Sequence, residues 1–173
     1  FGVLAGLCLA ATIAYLSRNC LGVAVANKQI LEDLNCSEKE MGFIMGFGFF
    51  MSYAVFQIPA GRLGHAWGSR RVLPLFAISW AILTGLMGLV IGFYSILIVY
   101  LSIGAAQAGI FPNSASTIRK WFPKPRIAVV CGALGSFMSV GGFIALNASG
   151  LLLDKISWRW VFAIFSLPGV VWA

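Results

Sequence analysis

Acidic side chains are almost missing from this chain. Its 173 residues hold five Asp and Glu against twelve Lys and Arg, with a single His. The acids are Glu32, Asp33, Glu38, Glu40 and Asp154, and the long apolar runs between them contain none. Hydrolysis or acid–base chemistry there would need a nucleophile with a base, or a metal cluster. His65 stands alone in a basic stretch, and the serine of "NASG" (Asn147 to Gly150) has no base beside it. These absences exclude an enzyme. Cys8, Cys20, Cys36 and Cys131 lack metal-ligand or redox spacing, so no metal and no cofactor is expected. Charge of either sign is scarce, at 10% of residues against about 25% in soluble domains. With 60% hydrophobic residues and a mean hydropathy of +0.93, the chain cannot present a wettable exterior. It reads as an all-α integral membrane protein. The first run has no cleavage-type motif leading into a soluble domain, which excludes a cleaved signal peptide. There is no starting methionine, and "VFAIFSLPGVVWA" stops inside an apolar run, so both ends are expected to be cut.

What charge there is punctuates the chain. Lys28 to Glu40 and Arg62 to Arg71 read as loops around an uncharged Met41 to Ala60. No charge occurs from Val72 to Ile118, which as one helix would be about 70 Å long, more than twice the hydrocarbon thickness. It must turn back, and "GFYS" at Gly92 to Ser95 supplies the glycine and interfacial tyrosine for a turn. The spacing predicts six transmembrane helices over approximately 1–27, 41–60, 72–92, 95–118, 127–153 and 160–173. The second-to-third loop carries Arg62, Arg70 and Arg71, and the fourth-to-fifth carries Arg119, Lys120, Lys124 and Arg126. By the positive-inside rule the amino terminus is cytoplasmic, and Cys36 is outside and open to an impermeant thiol reagent. The net charge of +7 thus reads as topology and attraction to the lipid bilayer, not as a nucleic-acid footprint.

Gly61, Leu63, Arg70 and Val72 recur as Gly150, Leu152, Arg159 and Val161, at a constant offset of 89 residues. Spans one to three and four to six then form two repeats. Three is odd, so the repeats are inverted, an arrangement found in secondary transporters with sites near the midplane. The same offset carries Arg18 onto Gln107, both polar and both deep in their spans. Helical spacing puts Ala11, Ala14, Tyr15 and Gly22 beside Arg18, and Tyr100, Gly104, Phe111 and Ser114 beside Gln107. Tyr53 and Gln57 stack one turn apart in the second span, and Asn147 marks the fifth. These side chains describe the wall of a watery cavity, or interhelical hydrogen bonds. Arg18 has no acid in any span to pair with, and a guanidinium binds carboxylate or phosphate in two-point geometry. Arg18, Tyr53, Gln57, Tyr100, Gln107 and Asn147 are the candidate substrate-binding residues, with a small organic anion as partner.

Several stretches carry a family resemblance. "GRLGHAWGSRR" resembles the loop motif of the major facilitator superfamily. "YLSRNCLGVA", "YAVFQIPAGRL", "AGIFPNSASTIRKWFP" and "GLLLDKISWRWVFAIFSLPG" resemble its organic-anion branch, the anion:cation symporters, which includes hexuronate, aldonate, phthalate, sialin-type and vesicular glutamate carriers. The resemblance implies the amino-terminal six-helix half of a twelve-helix carrier, its partner being the missing carboxy-terminal half. It also implies a plasma or bacterial inner membrane and alternating access, with Gly61, Gly64, His65, Gly68, Arg70 and Arg71 as a gating loop motif. The departures concern acids. The branch's Tyr-Leu-Asp-Arg is here Tyr15-Leu16-Ser17-Arg18, its fourth-span arginine and glutamate are Tyr100 and Gln107, and the motif's aspartate is His65. A carrier of neutral solutes, or a transport-dead sensor or scaffold, is the alternative. If His65 holds the loop weakly, Asp154 with Arg70 or Arg71 is a second possible clamp.

Overall fold

A computed structural model describes residues 2–26 and 28–173; Phe1 and Asn27, the expected ends of the first span, lie outside them. The described residues are helical and contain no strand. Helix α1 spans Gly2–Ala26, a short α2 spans Gln29–Leu34, and α3 spans Glu38–Trp67. They are followed by α4 (Ser69–Leu89), α5 (Phe93–Trp121), α6 (Lys124–Leu153) and α7 (Trp158–Trp172). Helices α1, α3, α4, α5 and α6 are long and apolar enough to cross a membrane, whereas α7 is a shorter apolar helix of 15 residues.

The helices outrun the uncharged stretches. The expected loop from Arg62 to Arg71 is helical up to Trp67, breaks at Gly68 alone and resumes at Ser69. Gly68 ends α3 because its φ of +83° suits a residue without a Cβ. Basic residues mark where a helix leaves hydrocarbon, and they do not oblige it to stop there. The turn expected at Gly92 to Ser95 lies slightly earlier, and Ser95 belongs to α5. Its Oγ accepts hydrogen bonds from the N–H groups of Ile91 (3.1 Å) and Gly92 (3.0 Å), occupying donors that open the helix. Ser37 caps α3 in the same manner, exchanging bonds with Glu40 in both directions. Two irregularities interrupt the long helices. A π-helical turn, Ile44–Gly48, lies inside α3, and α5 loosens at Ala108 and Gly109, four and three residues before Pro112, which has no N–H to give.

Packing follows the repeat. The closest helix pairs are α1 with α6, α4 with α7 and α3 with α5. Exchanging the repeats (α1, α3, α4 for α5, α6, α7) turns the first pair into the third and leaves the second unchanged. The crossings match as well. A Cβ on Gly141 of α6 would collide with the Thr12 carbonyl of α1, and one on Gly104 of α5 would collide with the Ser52 hydroxyl of α3. Ser52 and Gly141 are themselves 89 residues apart. Backbones approach closely at these points because a small residue occupies one side, which is how helices pack where lipid supplies no hydrophobic drive.

One end of the bundle is basic, with Arg62, His65, Arg70, Arg71, Arg119, Lys120, Lys124 and Arg126. The other carries the five acids and is fastened by polar contacts. Trp158 Nε1 donates to Asp33 Oδ2 at 2.7 Å, tying α7 to the α1–α3 connection. Arg159 donates to the carbonyls of Gly88 (2.8 Å) and Val90 (3.0 Å) at the end of α4, while its guanidinium lies over the Trp158 ring. A cation there satisfies carbonyls that a helix terminus leaves open. Asp154 is at this end too, a full length of α4 (roughly 27 Å, from 1.5 Å per residue) from Arg70 and Arg71. It cannot clamp them.

Candidate functional site

Arg18 lies on the inner face of α1, half-buried, where α3, α5 and α6 converge. Its guanidinium carbon is 4.3 Å from the Phe49 ring centroid, 4.7 Å from Phe50 and 5.4 Å from Tyr15. Among the described residues it has no carboxylate partner. Aromatic faces attract a cation through the ring quadrupole, which offsets part of the unfavourable placement of a charge in the membrane. They accept no conventional hydrogen bond, so the N–H groups remain available to something else.

Two cavities meet at Arg18. One, of about 140 Å³, lies toward the basic end and is lined by Ala11, Ala14, Tyr15, Arg18, Tyr53, Gln107 and Met138, among others. The second, of about 290 Å³, lies toward the acidic end and is lined by Tyr15, Arg18, Asn19, Gly22, Met45, Phe50 and Tyr100. Gln107 is buried and donates its amide to the Ala14 carbonyl at 3.3 Å, which holds α5 against α1 and leaves its Oε1 as an acceptor. Tyr100, also buried, donates to the Arg18 carbonyl at 3.3 Å, and its ring packs 5.3 Å from Phe49. The expected interhelical hydrogen bonds and the expected cavity wall are thus made by the same side chains.

Arg18, Tyr53, Tyr100 and Gln107 are brought together; two other candidates are not with them. Gln57 lines neither cavity. Asn147 is exposed on α6 and donates to the Phe143 carbonyl of its own helix at 2.8 Å. Phe49, Phe50, Asn19 and Met138 were not singled out from sequence. A phenylalanine in an apolar run carries no mark that separates packing from a cation contact.

The gating-motif residues divide by structure. Gly61 and Gly64 lie within α3, against α5: a Cβ on Gly61 would sit 3.5 Å from Pro112, and one on Gly64 would overlap the Asn113 amide. That amide donates to the carbonyls of Ala60 (3.2 Å) and Gly109 (2.6 Å), bridging the loosened point of α5 to α3. His65, Arg70 and Arg71 are exposed. Gly68 and Arg70 border a cavity of about 550 Å³ at the basic end, with Lys120 and Trp172. It is larger than the two at Arg18 but lies at one end of the bundle, away from the membrane interior, and holds none of the candidate binding residues.

The sequence model of the Major Facilitator Superfamily matches residues 7–173. The chain belongs to the Major Facilitator Superfamily. Among curated relatives within the superfamily, the hexuronate transporter of Bacillus subtilis is 29% identical over 165 residues, which are 95% of this chain and 38% of the relative. The D-galactonate transporter of Escherichia coli is 28% identical over 93% of this chain and 37% of its own length. A solved bacterial homologue of the human lysosomal transporter Spinster, inward-facing and occupied, superposes with a TM-score of 0.79 at 25% identity, covering 98% of this chain and 42% of that one. The chain therefore spans about two-fifths of the length of these superfamily members, and its fold is a partial half of theirs. The hexuronate and D-galactonate relatives are transporters, and this chain shares their superfamily.

Proposed function

We propose that the full-length protein carries small organic anions, such as sugar acids and other carboxylates, across the membrane by alternating access, with Arg18 receiving the anionic group. The observation that carries this reading is a guanidinium inside the bundle, without a carboxylate partner among the described residues, bordering two cavities at once. Tyr53, Tyr100 and Gln107 surround it and offer hydroxyl and carbonyl groups to a hydroxylated ligand. In this reading Gln57 and Asn147 face the site only once the carboxy-terminal half is in place. Gly61, Gly64, His65, Gly68, Arg70 and Arg71 act at the basic end as the gating element. The reading predicts saturable uptake of D-glucuronate or D-galactonate by proteoliposomes; a panel of sugar acids and dicarboxylates that neither binds nor moves would refute it.

The basic end faces the cytoplasm of a plasma or bacterial inner membrane, following the positive-inside rule. Cys36 is a poor reporter of this. It is buried, and burial followed by the nearby Glu40 carboxylate pushes its thiol above the usual range, depleting the reactive thiolate near neutral pH. Lys39 is exposed two residues into α3. In a cysteine-free background, Lys39→Cys should react with a membrane-impermeant maleimide added to intact cells, at a rate at least tenfold above that of Cys36 alone. Labelling only after lysis would invert the topology.

Proton coupling needs a group that titrates within the membrane, and this part of the chain has Ser17 and Gln107 where a carboxylate would serve. The carrier is accordingly a uniporter, an exchanger, or coupled to another ion or through the remaining half. Replacing Gln107→Glu should introduce pH dependence into binding, where the wild type has little. A wild type whose uptake collapses with an imposed pH gradient, even after the acids of the remaining half are neutralised, would contradict this.

A further inference from the structure

Arg18 does not rest on a single ring. Phe49 and Phe50 are successive residues of α3, and their rings stand 5.7 Å apart at 85°, forming a corner. The guanidinium is lodged in that corner, within 5 Å of both centroids. A planar group cannot stack on two perpendicular faces at once. Stacking on either ring turns an edge to the other, so the corner restricts the guanidinium plane more than a single ring does. The two rings differ in support. Phe49 is buried between Tyr53 and Tyr100, at 6.0 and 5.3 Å, and belongs to the core. Phe50 is 57% exposed and borders the cavity toward the acidic end.

The backbone before this pair is irregular. The π-helical turn Ile44–Gly48 ends one residue ahead of Phe49 and inserts an extra residue into α3. Such a turn shifts every later side chain by about 100° around the axis relative to an unbroken helix. The shift sets the phase at which Phe49 and Phe50 meet α1.

Resting on the anion-carrier reading, we infer that Phe50 is a positioning residue: it fixes the guanidinium plane so that the donor edges of Arg18 are presented to the cavities in a set orientation. The consequence is selectivity. A fixed, planar pair of donors engages both oxygens of a carboxylate, whereas a carboxamide sets one acceptor and one NH2 group against the same two donors. A guanidinium free to swing discriminates less.

The test uses full-length protein, with Phe50→Leu, Phe50→Tyr and Phe50→Trp. Because Phe50 is largely exposed, the leucine variant should fold, melting below the wild type only by the lost contact with Arg18. Its affinity for D-glucuronate should fall about tenfold. Its preference for D-glucuronate over D-glucuronamide should fall several-fold, and the tyrosine and tryptophan variants should restore both. Equal weakening toward carboxylate and carboxamide, or no rescue by tyrosine and tryptophan, would reduce Phe50 to packing. A ligand-free double-mutant cycle, Arg18→Gln with Phe50→Leu in thermal unfolding, decides the contact independently. Coupling between the two supports the corner, and additivity overturns the inference. Failure of the wild type to bind any sugar acid overturns the anion reading itself, whatever the cycle shows.

Discussion

Uptake of organic anions is expected to vanish in Arg18→Ala and to fall nearly as far in Arg18→Lys, while both proteins insert and fold. Losing one partner of a buried, hydrogen-bonded charge pair weakens binding by roughly 2–5 kcal/mol, on the order of thirtyfold to several thousandfold. Lysine keeps the charge but replaces a planar two-point donor with a compact ammonium, which also stacks less well on Phe49 and Phe50. Stability should respond in the opposite direction. In the unliganded protein Arg18 is a charge whose placement in a membrane helix is unfavourable by about 2.5–3.5 kcal/mol on insertion scales. Alanine should therefore leave the melting temperature unchanged or raise it. Ligand-induced stabilisation, present in the wild type, should disappear in both variants. Near wild-type uptake in Arg18→Ala would end the anion-binding role.

Gly64→Ala should cost stability out of proportion to one methyl group. The added Cβ would occupy the position of the Asn113 side-chain amide, which is 1% exposed and cannot move to water. Displacing it forfeits the hydrogen bonds to the Ala60 and Gly109 carbonyls and forces α3 and α5 apart where α5 is already loosened. Overpacking and a stranded buried amide together amount to roughly 2–5 kcal/mol. Because the clash is with one side chain, Gly64→Ala combined with Asn113→Ala should unfold at a higher temperature than Gly64→Ala alone. Simple addition of the two losses in thermal unfolding of the purified protein would show that the glycine serves some other purpose.

Much of the architecture is legible in the sequence because membrane insertion is a one-dimensional problem. Apolar length sets the number of helices, and Lys28, Arg62, Arg119 and Lys124 mark where they reach the surface. The inverted repeat was visible through Arg70 with Arg159 and Arg18 with Gln107, and the helix pairing repeats the same relation. Helix ends were less legible, since Trp67 and Trp121 continue helices that had already left the apolar run, and only a positive φ at Gly68 stops α3. At the candidate site the polar members stood out, for a buried Gln107 needs a partner and Arg18 has no acid. The aromatic corner did not. Its position depends on the phase of α3 after an inserted residue, and neither Gly46 nor Gly48 announces a π-helical turn over an ordinary helix.

The fastening at the acidic end also bears on the order in which the protein can be assembled. The carbonyls of Gly88 and Val90 receive their donor from a residue 71 and 69 positions further along the chain. During synthesis the end of α4 therefore stays open until α7 leaves the ribosome. Asp33 waits still longer, 125 positions, for the Trp158 indole. Likewise α1 is without its main neighbour until α6 arrives. Helices made early are thus completed by helices made much later, α3 by α5, α1 by α6 and α4 by α7.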